Sequence, residues 1–263
     1  MSRIGTVESL WRYPVKSMRG EELPAVFAGF AGIYCDRLYA IHDAGGRKSF
    51  PFLTAREQHR MLSFQPRFRE PAKSIAPPNL VEAENLPPGA TPIYGDPADL
   101  ALDVETPAGE RLAIEDPALL ELLRDGIDAR HQLSLLRSER ALTDCRPISI
   151  ISLQSIAQLA AERGAPVDKL RFRSNIHLDL LDSNGFAEDG FVGRSLRIGE
   201  RATFAILELD PRCAIVVLDP ATGEKDPAIL KTIAQRHGGN IGIYGAVLVE
   251  GLVRQGDPVE LLD

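Results

Sequence analysis

Turn signals cut this chain so often that only short strands fit between them, and that punctuation limits the fold more than any other feature. The 263 residues include 22 glycines and 19 prolines. Residues 3–13, 23–28, 37–42 and 99–104 read as strands, with the glycine-rich "HDAGGRK" as a hairpin turn. In the second half, strands are expected at 175–181, 202–209, 213–218, 242–250 and 257–262. Helices are few. Thr54 and Glu57 form a capping box that predicts one helix, and the stretch from Pro66 to Pro97 reads as surface loop. "DPALLELL" predicts a helix over 116–123, capped by Asp116 with Pro117 in its first turn and stopped at Gly126. A further helix runs from a cap near Ser152 to Gly164, and another starts at Asp226 and Pro227. Many short strands with few helices predict a mostly β, α+β chain built from barrels or sandwiches, not an alternating doubly wound sheet. The helix at 116 marks the expected boundary between one module over 1–115 and a second over 116–263, with the first strands packing against the second.

Composition removes several function classes. A net charge of -7 argues against nucleic acid or an anionic membrane as the main partner, although a local basic pocket fits within an acidic total. The opening "MSRIGTVESLWRYPVKS" lacks a signal-peptide core, and no stretch reaches the roughly 18 apolar residues of a membrane span, so the expected location is cytoplasmic. Three widely spaced cysteines, Cys35, Cys145 and Cys213, fit neither a disulfide framework nor a CxxC zinc site. There is no Walker A sequence, no dinucleotide-binding glycine fingerprint and no HExxH, and the five histidines form no hydrolase arrangement.

Three stretches carry the chemistry. "YPVKSMRG" sets Lys16, Ser17 and Arg19 in a turn, and "RFRSN" sets Arg171, Arg173 and Asn175 at the entry of a later strand. Cations beside hydroxyls and amides suit an anion, because guanidinium and ammonium groups give charge-assisted bonds to phosphate oxygens; either cluster taken alone reads better as a solvated basic turn. In "DPRCAIVVLDPATGEKDP", Cys213 has two readings: a small core residue, or a thiolate favoured by Arg212 that acts as nucleophile or metal ligand.

"YPVKS", "CDRLYAI", "LTAR", "RFRSNI", "FAEDGFVGRSLRIG", "PRC", "LDPATGE" and "IGIYGAVLVEGLVRQGDPV" follow one another in an order that resembles the MOSC-domain family. The likeness spans nearly the whole chain and is nearest to members with an N-terminal β-barrel module, the group of the mitochondrial amidoxime-reducing component and its bacterial relatives. It implies a MOSC β-barrel domain plus that module, with a cofactor cleft between them, and a molybdenum cofactor whose pterin dithiolene holds the metal. Cys213 stands where the family's cysteine ligand stands. The resemblance assigns the cofactor's phosphate and pterin edge to Lys16, Ser17, Arg37, Ser152, Ser155, Arg173, Asn175 and Tyr244, with Arg212 beside the sulfur. Ser152 and Ser155 read independently as helix caps, and a helix N-terminus that holds caps also favours an anion.

The implied activity is reduction of N-hydroxylated compounds such as hydroxylamines, amidoximes or hydroxylated bases. The chain shows no flavin fingerprint and no clustered cysteines for an iron-sulfur centre, so electrons are expected from a separate ferredoxin-like or flavin-bearing protein. A carrier that delivers the cofactor, or sulfur held on Cys213 as persulfide, is the alternative; a cofactor-free interaction module would instead scatter the basic residues. Departures from the family pattern are Met18, Leu153 in place of an acid, Ser174 in place of proline, and the wholly apolar run Ile215 to Leu218. The expected result is a locally positive pocket around Cys213, lined from both halves.

Overall fold

The computed structural model describes residues 2–85 and 96–262. Its centre is a closed barrel of seven strands: β1 (Ser2–Arg12), β2 (Ile148–Ser152), β3 (Ile176–Leu180), β4 (Ser195–Ile198), β5 (Ala202–Pro211), β6 (Asn240–Val249) and β7 (Pro258–Leu262). Around the barrel the order is β3-β2-β6-β5-β4-β7-β1, and β1 closes the ring by pairing with β3. Neighbours are antiparallel except β2 and β3, which run parallel and are joined through the helix Leu153–Arg163. A parallel pair needs such a crossover, so the helix is a topological necessity as well as a packing element.

The first strand is therefore a stave of a barrel whose other staves all lie beyond residue 147. Gly5 faces Leu180 and Leu10 faces Ile176 on one edge, while Ser2 faces Leu261 on the other. Glycine is required at position 5, because a Cβ there would lie 2.4 Å from the Asp179 carbonyl oxygen. A register shift between Val7 and Ser9 changes the phase of alternation, so Val7 and Leu10 both join the barrel interior with Ile150, Leu178, Phe204 and Ile243. A second core lies outside the barrel. Ile41, Leu53, Met61 and Leu102 from the first half pack there with Leu159 and Ile229 from the helices Leu153–Arg163 and Pro227–Arg236.

The expected helix starts are present. Asp116 accepts from the Ala118 N–H, Ser152 from that of Ser155 and Asp226 from that of Ala228, and Gly164 ends its helix at φ 78°. Three local expectations need correction. The Thr54–Glu57 bonds form, with Thr54 Oγ1 donating to Glu57 at 2.6 Å, but they lead into a turn and the 3₁₀ helix His59–Ser63 rather than an α-helix. The stretch from Pro66 includes the strand Gln65–Phe68 and the short helix Leu80–Asn85; its remainder, residues 86–95, lies outside the described residues. Residues 213–218 are not a strand. β5 ends at Pro211, and Ala214–Val217 form a 3₁₀ turn with Cys213 as its N-cap. A short apolar run does not by itself distinguish a buried strand from a buried helical turn, and Val216, Val217 and Leu218 reach the outer core either way. Among the described residues no helix is long and apolar enough to cross a membrane.

One barrel residue makes the fold acid-sensitive. His177 is fully buried on β3, with Nδ1 3.3 Å from Ser9 Oγ and no hydrogen-bond partner for Nε2. Burial, helped by the Lys169 charge, pushes its pKa down to about 4 from 6.5. The unfolded chain then binds the extra proton between those values, so the stability contributed by neutral His177 is full above pH 6.5 and is lost as pH falls towards 4, by roughly 3 kcal/mol. Denaturant unfolding of the native chain and His177→Gln across pH 4 to 7 should show this loss in the native chain alone. Parallel pH profiles would refute the assignment.

Candidate functional site

The chain turns sharply where β1 leaves the barrel, and this turn builds one wall of a cleft of about 340 Å³. After Pro14 the Lys16 N–H donates to the Tyr39 carbonyl at 2.8 Å, and Ser17 takes the left-handed region at φ 66°. Lys16 is thereby held almost wholly buried. Its Nζ donates to the Leu142 carbonyl at 2.8 Å and to the Asp144 carboxylate. Burial drives the Lys16 pKa down against the pull of Asp144. For Asp144, burial pushes upward, but Lys16, with Arg56 and Arg37 behind it, brings the carboxyl below its ordinary value.

Two arginines form the next wall. Arg37 has φ 44° and Arg173 has φ 52°, so three of the six described non-glycine residues at positive φ, counting Ser17, line this one cleft. Such backbone positions cost energy and persist only where surrounding contacts hold them. Here those contacts are visible. Arg37 pairs with Asp36 and donates to the Arg173 carbonyl at 2.9 Å; Arg173 donates to the Met18 carbonyl at 2.8 Å. Both guanidinium groups lie over the Tyr13 ring, at 4.6 and 4.2 Å from its centroid. Burial, with Arg37 adding to it, lowers the Arg173 pKa to about 10, which leaves it charged at neutral pH.

The barrel supplies the floor. Asn175 opens β3, donating its N–H to the Ser149 carbonyl at 2.8 Å and its Nδ2 to the Trp11 carbonyl at 3.3 Å, which ties three staves together. Arg212 donates through Nε to the Ile241 carbonyl and through Nη1 to the Phe172 carbonyl, both at 2.8 Å, while its Nη2 forms an ion pair with Asp210 at 2.8 Å but makes no hydrogen bond. Its guanidinium fixes the wall that carries Cys213. Asp210 also accepts from Ser149 Oγ at 2.8 Å, while its Oδ1 has no partner. Burial raises the Asp210 pKa, opposed by Arg212, Ser149 and Tyr244; burial and then Asp210 raise that of Tyr244. Cys213, half-buried, sits at the lip of the 3₁₀ turn that follows.

The structure thus brings Lys16, Ser17, Arg37, Arg173, Asn175, Arg212, Cys213 and Tyr244 to one cleft, from both halves of the chain. Ser152 and Ser155 do not line it. Their hydroxyls each donate at 2.8 Å to Glu188, which also accepts the Ser152 N–H, so the anion at this helix N-terminus is one of the chain's own carboxylates. Arg56, Asp144, Arg146, Ser149 and Asp210 line the cleft without having been singled out in the sequence. Arg56 lies within "LTAR" and Asp210 within "DPRC", and both stretches carried the available signal. With these included, six cationic side chains face two carboxylates, so the cleft is positive within an acidic chain.

Residues 137–260 match the family model of the MOSC domain, and residues 4–88 match that of the MOSC N-terminal beta barrel domain. The chain is 25% identical over 296 residues to mitochondrial amidoxime reducing component 2 of Rattus norvegicus, covering 98% of this chain and 84% of that protein. The Bos taurus protein of the same name is 25% identical over 300 residues, with the same coverage. Among solved structures, the YUAD protein from Bacillus subtilis aligns over 98% of this chain and 95% of its own, with a TM-score of 0.50 and 13% identity, a likeness of fold.

Proposed function

The chain belongs to the MOSC-domain family, and from that premise we propose that its cleft holds a molybdenum cofactor and that the protein reduces N-hydroxylated compounds with electrons from a separate redox protein. The observation that carries this reading is the meeting of cations from both halves of the chain beside Cys213. The relatives named amidoxime reducing component support the reaction class. The same reading divides the chain near residue 116, with β1 crossing over to complete the second domain's barrel.

The donor set fits an anionic, many-edged group. Arg37, Arg173 and Lys16 would hold its phosphate, their positions already fixed by bonds to Asp36, Met18 and Leu142. Ser17, Asn175 and Tyr244 would meet its polar edges. Among the described residues no group of three or more His, Cys, Asp or Glu is placed to hold a metal ion, so a metal here needs ligands of its own, with Cys213 adding one soft sulfur. When bound, such a cofactor would supply the two electrons that the reduction consumes. Reduction of R–NHOH takes up two electrons and two protons, breaks the N–O bond and releases R–NH2 and water. Asp210, pushed up in pKa by burial, accepting from Ser149 and paired with Arg212, lies buried at the cleft, in a chain that has Leu153 where some relatives carry an acid.

The test is conversion of benzamidoxime to benzamidine, followed by chromatography, with reduced methyl viologen as electron source. Turnover in proportion to bound molybdenum is expected. Protein fully loaded with cofactor that produces no benzamidine or other amine would overturn the reductase reading in favour of a carrier.

A further inference from the structure

Arg173 also lines a second cleft, of about 360 Å³, which the proposed reduction does not use. Trp11 and Tyr13 form its wall. They are two residues apart on an extended stretch, which turns both side chains to one face. Tyr13 is 2% exposed, yet its hydroxyl makes no hydrogen bond, and Trp11 Nε1, also buried, likewise lacks an acceptor. Both atoms are donors at neutral pH, because an indole N–H only donates and burial pushes the Tyr13 pKa up to about 12. Buried donors without partners are rare and costly, and two on one wall call for an acceptor that the chain itself does not provide.

The surrounding charges define the acceptor further. Arg173 and the exposed Arg19, which has no ion pair among the described residues, stand against the exposed carboxylates of Glu22 and Asp168. This balance admits a single negative charge and opposes a dianion. Leu170, Pro220 and Ala221 offer apolar surface to the rest of a ligand. A cleft of this size, mostly apolar with a few polar groups, suits a small organic molecule.

We propose that this cleft is a binding site for a small organic monocarboxylate with a flat apolar body, its carboxylate accepting from Trp11 Nε1 and the Tyr13 hydroxyl beside the Arg173 guanidinium. Trp11 is the chain's one tryptophan, so its fluorescence reports on this wall directly. Titration with benzoate should change that emission saturably. Tyr13→Phe, which removes only the hydroxyl, should weaken benzoate binding about tenfold, the effect of one hydrogen bond to a charged acceptor. Ala221→Phe, on the exposed rim, should weaken it by filling the mouth. Inorganic phosphate should bind at least tenfold more weakly than benzoate. No saturable change with benzoate, unchanged affinity in both variants, or phosphate binding as tightly would each overturn the assignment. Binding is read by emission without turnover, so its failure is distinguishable from failure of the reductase reading although Arg173 lines both clefts.

Discussion

Cys213→Ser should fold with an unchanged melting temperature and lose N-hydroxy reduction entirely. Serine is close in size, and the side chain is only half-buried at the lip of the cleft, so packing changes little. A hydroxyl is a harder donor than sulfur and stays protonated at neutral pH, so it does not replace a thiolate as a ligand for a soft metal centre. Cys35→Ser provides the contrast. Cys35 is 7% exposed in the outer core, and burial pushes its pKa up to about 12, the mark of an inert thiol. A buried serine hydroxyl without a partner costs roughly 1 to 3 kcal/mol, so this variant should melt earlier and keep its turnover per bound molybdenum. Unfolding scans paired with turnover per metal check both. Full turnover in Cys213→Ser would remove the ligand role.

Arg173→Ala should reduce cofactor content at least tenfold, from the loss of charge-assisted bonds worth about 1.5 to 3 kcal/mol each. It should also cost stability. The sequence sets this arginine at an exposed strand entry, whereas the structure holds it in the left-handed region, bonded to Met18 and stacked over Tyr13. Removing those contacts is expected to cost about 1 to 2 kcal/mol. Arg173→Gly isolates the two effects, since glycine adopts φ 52° without strain. It should recover part of the stability and none of the cofactor. Metal analysis beside denaturant unfolding makes the comparison, and normal cofactor content in either variant would contradict the phosphate role.

What could be read beforehand follows the range of the interactions involved. Helix starts at Asp116, Ser152 and Asp226 were legible because a cap bonds within two or three residues of itself. The β-rich class was legible because turn residues act locally. Arg56, Asp144 and Asp210 were not, since their membership of the cleft depends on chain segments far apart in sequence meeting in space. Ser152 and Ser155 show the reverse case. Their pattern fits an anion site, but Glu188, more than thirty residues away, occupies it. The run after Cys213 reads as a strand and is a 3₁₀ turn, because burial, not alternation, governs an apolar segment of that length. Lys16 and Arg173 were linked only through resemblance, and their physical link is the closure of the barrel by β1.

The central claim is that the cationic cleft and Cys213 together hold a molybdenum cofactor. Elemental and pterin analysis of the protein purified from a host competent for cofactor synthesis tests it most directly. One molybdenum and one pterin per chain are expected, with pterin falling in Arg173→Ala and the metal's sulfur ligation altered in Cys213→Ser. Native, folded protein from such a host that carries neither molybdenum nor pterin would contradict it.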